Sequence, residues 1–182
     1  MKYSLDIETL DTRSSAVVLS IGLCEVTREG VSNAFKINLD IQSQIDAGRT
    51  ISSNTLQWWM IQDSETRNAA FYNPQDVKEA LLIVRQRLSK EAASVFVKGP
   101  AFDSAILDDL AATFNVAPVC YFRRWRDIRT LDDVIEMAGN KDLQYAWYEA
   151  QVDLAPDRAH DAGADAIGQG LLLSHFWREC ST

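Results

Sequence analysis

The chain has 182 residues, 47% of them hydrophobic and 24% charged, with no biased tract, which is ordinary globular composition. Its net charge of −8 excludes a protein that coats nucleic acid nonspecifically, but not an enzyme whose acidic residues hold cations. No apolar run reaches the roughly 18 residues that span a bilayer. Asp6 interrupts the apolar stretch a secretory leader would need. Cys24, Cys120 and Cys180 make neither a zinc motif nor an even disulfide set, so they read as buried or idle thiols in a reducing, cytoplasmic setting with no membrane. At this length one domain, residues 1–182, is the simplest organisation, burying roughly 70% of its unfolded surface.

In chain order, residues 3–9, 16–26 and 31–39 are rich in Val, Ile, Leu and Phe and predict three strands. The turn sequence TREG (27–30) makes them an antiparallel meander. Asn54 with Gln57 three residues on predicts a capping box ahead of LQWWMIQ. Asn73 and Pro74 predict an N-cap and first helical position, followed by Val77, Leu81, Val84 and Leu88 at helical spacing. SVFVK (94–98) predicts a short buried strand halted by Gly99 and Pro100. Phe102, Ile106, Leu110 and Phe114 recur at i+4 and predict an amphipathic helix. APVCYF (117–122) predicts a fifth strand, residues 130–138 a helix, 139–158 a loop, and about 161–179 a last helix. The pattern is α/β: a mixed central sheet of about five strands, meander first and parallel crossovers after, flanked by helices.

The stretch SLDIETL (4–10) carries the first chemical signal. On a strand Asp6 and Glu8 project from one face, while Leu5 and Ile7 project from the other. Two carboxylates about 4 Å apart repel by about 4 kcal/mol at an effective dielectric of 20. Water on a solvated face, a shared proton or a bound cation would each relieve that. Asp103 falls in the first turn of a helix directly after a strand, where α/β sheets present ligand-binding residues. There it could equally serve the helix dipole, at about 0.3–1 kcal/mol. The last helix opens with His160, Asp161 and Asp165 among alanines and glycines. Each helical glycine costs about 1 kcal/mol relative to alanine. Gly163, Gly168 and Gly170 are therefore explained if this helix approaches the sheet closely, bringing Asp165 to the first strand. A capped, alanine-rich surface helix is the other reading.

These positions together resemble the DEDDh 3′–5′ exonucleases of the ribonuclease H-like superfamily. The family's motifs are matched in order by DIE (Asp6, Glu8), FD (Asp103) and HDAGAD (His160, Asp165). NTLQWWMIQ and RWRDIRTLDD are further similar to segments of the phage exonuclease A and exoribonuclease AS groups. KGPAF departs from the pattern, since many relatives carry asparagine ahead of the Phe-Asp pair. The resemblance implies a ribonuclease H-like fold and two divalent cations, Mg²⁺ or Mn²⁺, held by Asp6, Glu8, Asp103 and Asp165, with Asp6 shared between them. Hard oxygen ligands suit such ions. Two metals can stabilise both the attacking water and the leaving 3′ oxygen. His160 is implied as the general base, and hydrolysis as proceeding from the 3′ end of single-stranded DNA or RNA to release nucleoside 5′-monophosphates. A homodimer is implied because related groups include dimers. The alternative is a nucleic-acid-binding module that keeps the fold without activity.

Asp161 competes with Asp165 as the third-motif ligand, and its place at the helix start favours a capping role. His175 reads as structural. Leu56, Trp59 and Met60 predict an apolar helix face that leaves Trp58 at the rim, either as a second core aromatic or as a base-stacking platform worth about 1–3 kcal/mol. RRWRDIR (123–129) holds four of the 18 basic residues. Arg123, Arg124, Arg126 and Arg129 are either solvated surface or phosphate contacts, and the first three with Trp58 and Phe102 form the expected substrate-binding set.

Overall fold

The computed structural model describes residues 1–88, 94–153 and 160–180. Three antiparallel strands open the chain: β1 (Lys2–Thr9), β2 (Val18–Val26) and β3 (Val31–Asn38). Helices α1 (Ile41–Asp46), α2 (Ser53–Ile61), α3 (Ser64–Phe71) and α4 (Val77–Arg87) follow. Then come β4 (Ser94–Val97), α5 (Pro100–Thr113), β5 (Trp125–Asp127), α6 (Thr130–Ala138), α7 (Lys141–Asp153) and α8 (Ala162–Glu179). The sheet order is β3-β2-β1-β4-β5. β1 is central, antiparallel to β2 and parallel to β4, and β4 is parallel to β5. This is the mixed five-stranded sheet that the sequence predicts. Among the described residues no helix is long and apolar enough to cross a membrane.

Period two along β1 divides the layers. Tyr3, Leu5 and Ile7 enter one core with Val77, Leu81 and Val84 of α4 and Ile106, Leu107 and Leu110 of α5. A second core joins Cys24 and Val26 to Ile128, Ile135, Trp147 and Leu173, so α6, α7 and α8 cover the other side. Asp6 and Glu8 have the opposite parity to Leu5 and Ile7 and project toward α8.

Several boundaries differ from expectation. Ser52, not Asn54, caps α2: its hydroxyl accepts from Thr55 N–H, and its own N–H donates to Leu10 O at 2.8 Å. That long-range bond fixes where the helix starts. Asn73 takes φ +50 and Gln75 N–H donates to Asn38 O. The chain there is still tied to the end of β3, and Asp76 caps α4 instead. Residues 117–122 form no strand. Pro118 lacks an amide donor, and the ladder beside β4 is filled by Trp125–Asp127. The stretch 139–158, expected as a loop, is helical over Lys141–Asp153, and 154–158 lie outside the described residues. Asn140 starts that helix by accepting from Asp142 and Leu143 N–H, both at 3.1 Å. Leu143, Trp147 and Ala150 face the core at helical spacing, a signal masked by the exposed Tyr145, Tyr148 and Val152. On α2, Trp59 alone of the expected apolar face is buried, whereas Leu56 and Met60 are exposed.

The packing of α8 on the sheet depends on glycine. Gly22 stands opposite Asp6 in the β1–β2 ladder. A Cβ there would lie 1.8 Å from the carbonyl oxygen of Ala162. At Gly170 a Cβ would meet Cys24 Sγ and Val31 Cγ1 at 2.8 Å. Because the obstacle at Gly22 is backbone, Gly22→Ala should displace the start of α8 and destabilise the protein by about 3 kcal/mol, the upper end for overpacking. Urea denaturation checks this. A loss below about 0.5 kcal/mol, the ordinary surface range, would show that the helix start moves freely.

Candidate active site

The site is assembled where β1, β4 and β5 end and α8 begins. Asp6 and Glu8 project from the same face of β1, and Asp165 lies one turn into α8. One carboxylate oxygen from each of the three lies within 4.8 Å of the others. Asp103 enters from the first turn of α5. Its carboxyl accepts from the backbone N–H of Ile7, which ties it to β1. Gly99, at φ +115, precedes that helix, and the Arg129 guanidinium would lie 2.6 Å from a Cβ there. The glycine therefore lets the arginine pass close to Asp103.

Asp161 is the N-cap of α8, accepting from Gly163 and Ala164 N–H at 3.0 and 3.1 Å. It also pairs with Lys36 at 2.7 Å. Burial alone would push its carboxyl up, but Lys36 and the capping amides outweigh this and hold it below the ordinary range. His160 just before it takes φ +64. Its ring meets the edge of Trp58 at 4.6 Å between centroids, nearly perpendicular. Trp59 Nε1 donates to Thr9 O at 2.9 Å, anchoring α2 to the end of β1.

A cleft of about 330 Å³ contains Asp6, Glu8, His160 and Asp165 in its lining, together with Lys98 and Arg129. Trp147, Asp132 and Gln151 border it too, with Asp132 accepting from Trp147 Nε1 at 2.7 Å and from Gln151 at 3.3 Å. Trp58 stands beside this cleft through its contact with His160. Phe102 is half-buried against the sheet core and does not line the cleft. Arg123, Arg124 and Arg126 also stand outside it. Arg124 Nη1 donates to Leu88 O at 3.2 Å, and Arg126 Nη1 to Arg123 O at 2.7 Å.

The carboxylates are electrostatically frustrated. Burial, then Glu8, Asp103 and Asp165, raises Asp6 well above its ordinary value. Burial, with Asp165 and Asp161 adding and Lys36 opposing, pushes Glu8 up to about 8. Burial takes Asp103 to about 7 against the lowering effect of its amide bonds and Arg129. Burial raises Asp165 despite its bond from the His160 backbone. Among the described residues none of these four makes an ion pair, and Lys36, which acts on Glu8, is engaged with Asp161. A partly buried cluster of hard oxygen donors that forms no ion pair among the described residues fits divalent metal ions.

Sequence reasoning missed Lys36, Gln169 and Lys98 at this site, and it read Arg129 only as part of the basic cluster. Lys36 faces Glu8, Arg129 faces Asp103, Gln169 donates to Asp6 Oδ1 at 2.9 Å, and Lys98 lines the cleft. Gln169 follows Asp165 by four residues, a helical spacing that could have placed it on the same face. Lys36 and Lys98 had no local signal.

The mixed sheet flanked by helices is the ribonuclease H-like fold of DEDDh nucleases. The chain matches the family described as the 3'-5' exoribonuclease Rv2179c-like domain over residues 1–177, and it belongs to that family; it is a 3′–5′ exonuclease. No curated protein matches its sequence. Among solved structures it is similar to the nuclease domain of 3'hExo bound to rAMP, at 12% identity and TM-score 0.64, covering 98% of this chain and 92% of that one. It is also similar to cell-death related nuclease 4 (CRN-4), at 13% identity and TM-score 0.66, covering 98% and 64%. E. coli exonuclease I in complex with a dA16 oligonucleotide is 12% identical with TM-score 0.68, covering 95% of this chain and 40% of that one.

The raised carboxyls make stability depend on pH. Glu8 and Asp103 sit at about 8 and about 7 against ordinary values of 4.5 and 3.8. Between those limits the folded chain holds protons that the unfolded chain has released, so rising pH favours unfolding. Their contribution is complete below the ordinary values and is lost as pH climbs through the folded ones. With chelator present, the melting temperature should fall from about pH 5 to about pH 8, and Glu8→Gln should flatten that slope. A melting temperature that rises across this window would mean the carboxylates are already neutralised within the protein.

Proposed function

We propose that the chain hydrolyses single-stranded RNA from its 3′ end, releasing nucleoside 5′-monophosphates, with two divalent cations, Mg²⁺ or Mn²⁺, held by Asp6, Glu8, Asp103 and Asp165. The observation that carries this reading is the cluster of Asp6, Glu8 and Asp165 within 4.8 Å, beside His160 in one cleft. The family's description as an exoribonuclease supports RNA over DNA. A cleft of about 330 Å³ supports a single chain end over a duplex, being at the small end of ligand pockets.

The cations, when bound, neutralise the charge that develops on the attacking and leaving oxygens of an in-line displacement. The four carboxylates fix their positions. His160 takes a proton from the water whose oxygen bonds to phosphorus, and the P–O3′ bond breaks, the departing 3′ oxygen gaining a proton from solvent to leave the shortened chain with a free 3′-hydroxyl. Trp58, edge-on to the His160 ring, limits where that imidazole can swing and offers its face to the terminal base. Phe102 supports the segment that carries Asp103.

Digestion of end-labelled single-stranded RNA and DNA of equal sequence, with product sizing, tests the substrate. RNA should shorten one nucleotide at a time, and equal rates on DNA would overturn the RNA assignment. In the same assay Asp6→Asn and Asp165→Asn should abolish cleavage. His160→Ala should lower kcat by about 10²–10⁴-fold, the range for a lost general base, with Mn²⁺ affinity nearly unchanged. Loss of metal binding in His160→Ala would make His160 a ligand.

Arg123, Arg124 and Arg126 are proposed as contacts to phosphates behind the terminal nucleotide. The exposed Tyr121 and Phe122 beside them, with ring centroids 4.6 Å apart, make a surface of the kind on which single strands stack. Replacing each arginine with glutamine should weaken binding of all sequences alike and reduce the salt slope by about one unit per lost contact. An unchanged slope would leave these arginines as solvated surface.

A further inference from the structure

Gln169 is half-buried in the wall of the active-site cleft, one helical turn beyond Asp165. Its Nε2 donates to Asp6 Oδ1 at 2.9 Å, while its Oε1 is buried without a hydrogen-bond partner. Leaving a buried acceptor unsatisfied costs about 1–3 kcal/mol. A methionine of the same length would fill the space without that cost, so packing does not account for the amide.

The surroundings fix where the amide can reach. Gly170, next in sequence, lies so close to β2 that a Cβ would meet Cys24 Sγ and Val31 Cγ1 at 2.8 Å. The close approach sets the distance between α8 and β1, across which the Gln169 side chain extends. The donor is also neutral. A lysine here would hold Asp6 equally well but would supply the positive charge that the carboxylate cluster otherwise draws from metal ions. An amide orients the carboxylate and leaves its charge uncompensated.

We propose that Gln169 is a positioning residue for Asp6, holding its carboxylate through the Nε2–H···Oδ1 hydrogen bond in the orientation that receives divalent cations. This rests on the metal reading of the site. Partners that orient a ligating carboxylate contribute about 10–100-fold in metal affinity, and Gln169 should act on that scale.

The test is calorimetric titration of Mn²⁺ into metal-free wild-type protein, Gln169→Met and Gln169→Asn, alongside thermal melts in chelator and oligonucleotide kinetics. Methionine keeps the length and loses the donor; asparagine keeps the amide but falls short of Asp6. Both variants should melt within a few degrees of wild type, bind Mn²⁺ about 10–100-fold more weakly, and lose kcat with little change in KM. High Mn²⁺ should restore much of the lost rate. Mn²⁺ affinity within twofold of wild type in both variants would overturn the proposal. So would unfolding of both, which would make Gln169 structural. If wild-type protein itself binds no Mn²⁺, the metal reading fails and this inference with it. If wild type binds and the variants bind equally, only the inference fails.

Discussion

The close approach of α8 to the sheet is the constraint on which the site depends. Gly22 and Gly170 remove the side chains that would hold the helix away, and a Cβ at Gly22 would overlap the Ala162 backbone. Because Gly22 stands opposite Asp6 in the ladder, the helix starts directly over the strand that carries the paired carboxylates. Asp165, Gln169 and the His160 turn are placed by that one contact. The cost is borne locally, since each helical glycine gives up about 1 kcal/mol relative to alanine.

The second consequence is electrostatic. Four carboxylates are drawn into a partly desolvated region where burial raises all of them and Asp6 is raised further by the other three, while Lys36 and Arg129 only partly offset Glu8 and Asp103. Lys36 neutralises Asp161, the cap of α8, rather than the cluster. Arg129 approaches Asp103 from the far side without an ion pair. Basic residues thus stand around the cluster without quenching it. The arrangement keeps the carboxylates poorly compensated at a cost to stability, as expected where function opposes stability.

Relatives at 10–13% identity retain the architecture. That is consistent with a fold set by strand order and by which face of β1 is charged rather than by particular core side chains. Cores tolerate hydrophobic exchange at constant volume, whereas the parity of Asp6 and Glu8 against Leu5 and Ile7 cannot shift by one residue without burying both charges in the α4–α5 layer.

Much was legible in the sequence because it is encoded by short-range periodicity. Apolar, β-branched runs over residues 3–9 and 16–26 specified the strands, and period two along 3–9 specified the shared face of Asp6 and Glu8. Spacing specified the buried side of α4, α5 and the last helix, and the order of the acidic motifs specified the class of chemistry. Helix starts were misplaced where a distant partner chooses among equivalent caps, as Leu10 does for Ser52 and Asn38 for the chain before Asp76. α7 escaped notice because its exposed Tyr145, Tyr148 and Val152 obscure the buried Leu143, Trp147 and Ala150. Lys36, Arg129 and Gln169 reach the carboxylates from separate elements, and no local pattern records which residues a sheet and a helix bring together. The sequence by itself determined the first four strands, the buried faces of α4 and α5, the charged face of β1 and the class of enzyme. Only the tertiary structure decided the partners of each carboxylate, because those contacts depend on how closely α8 can lie against two glycines.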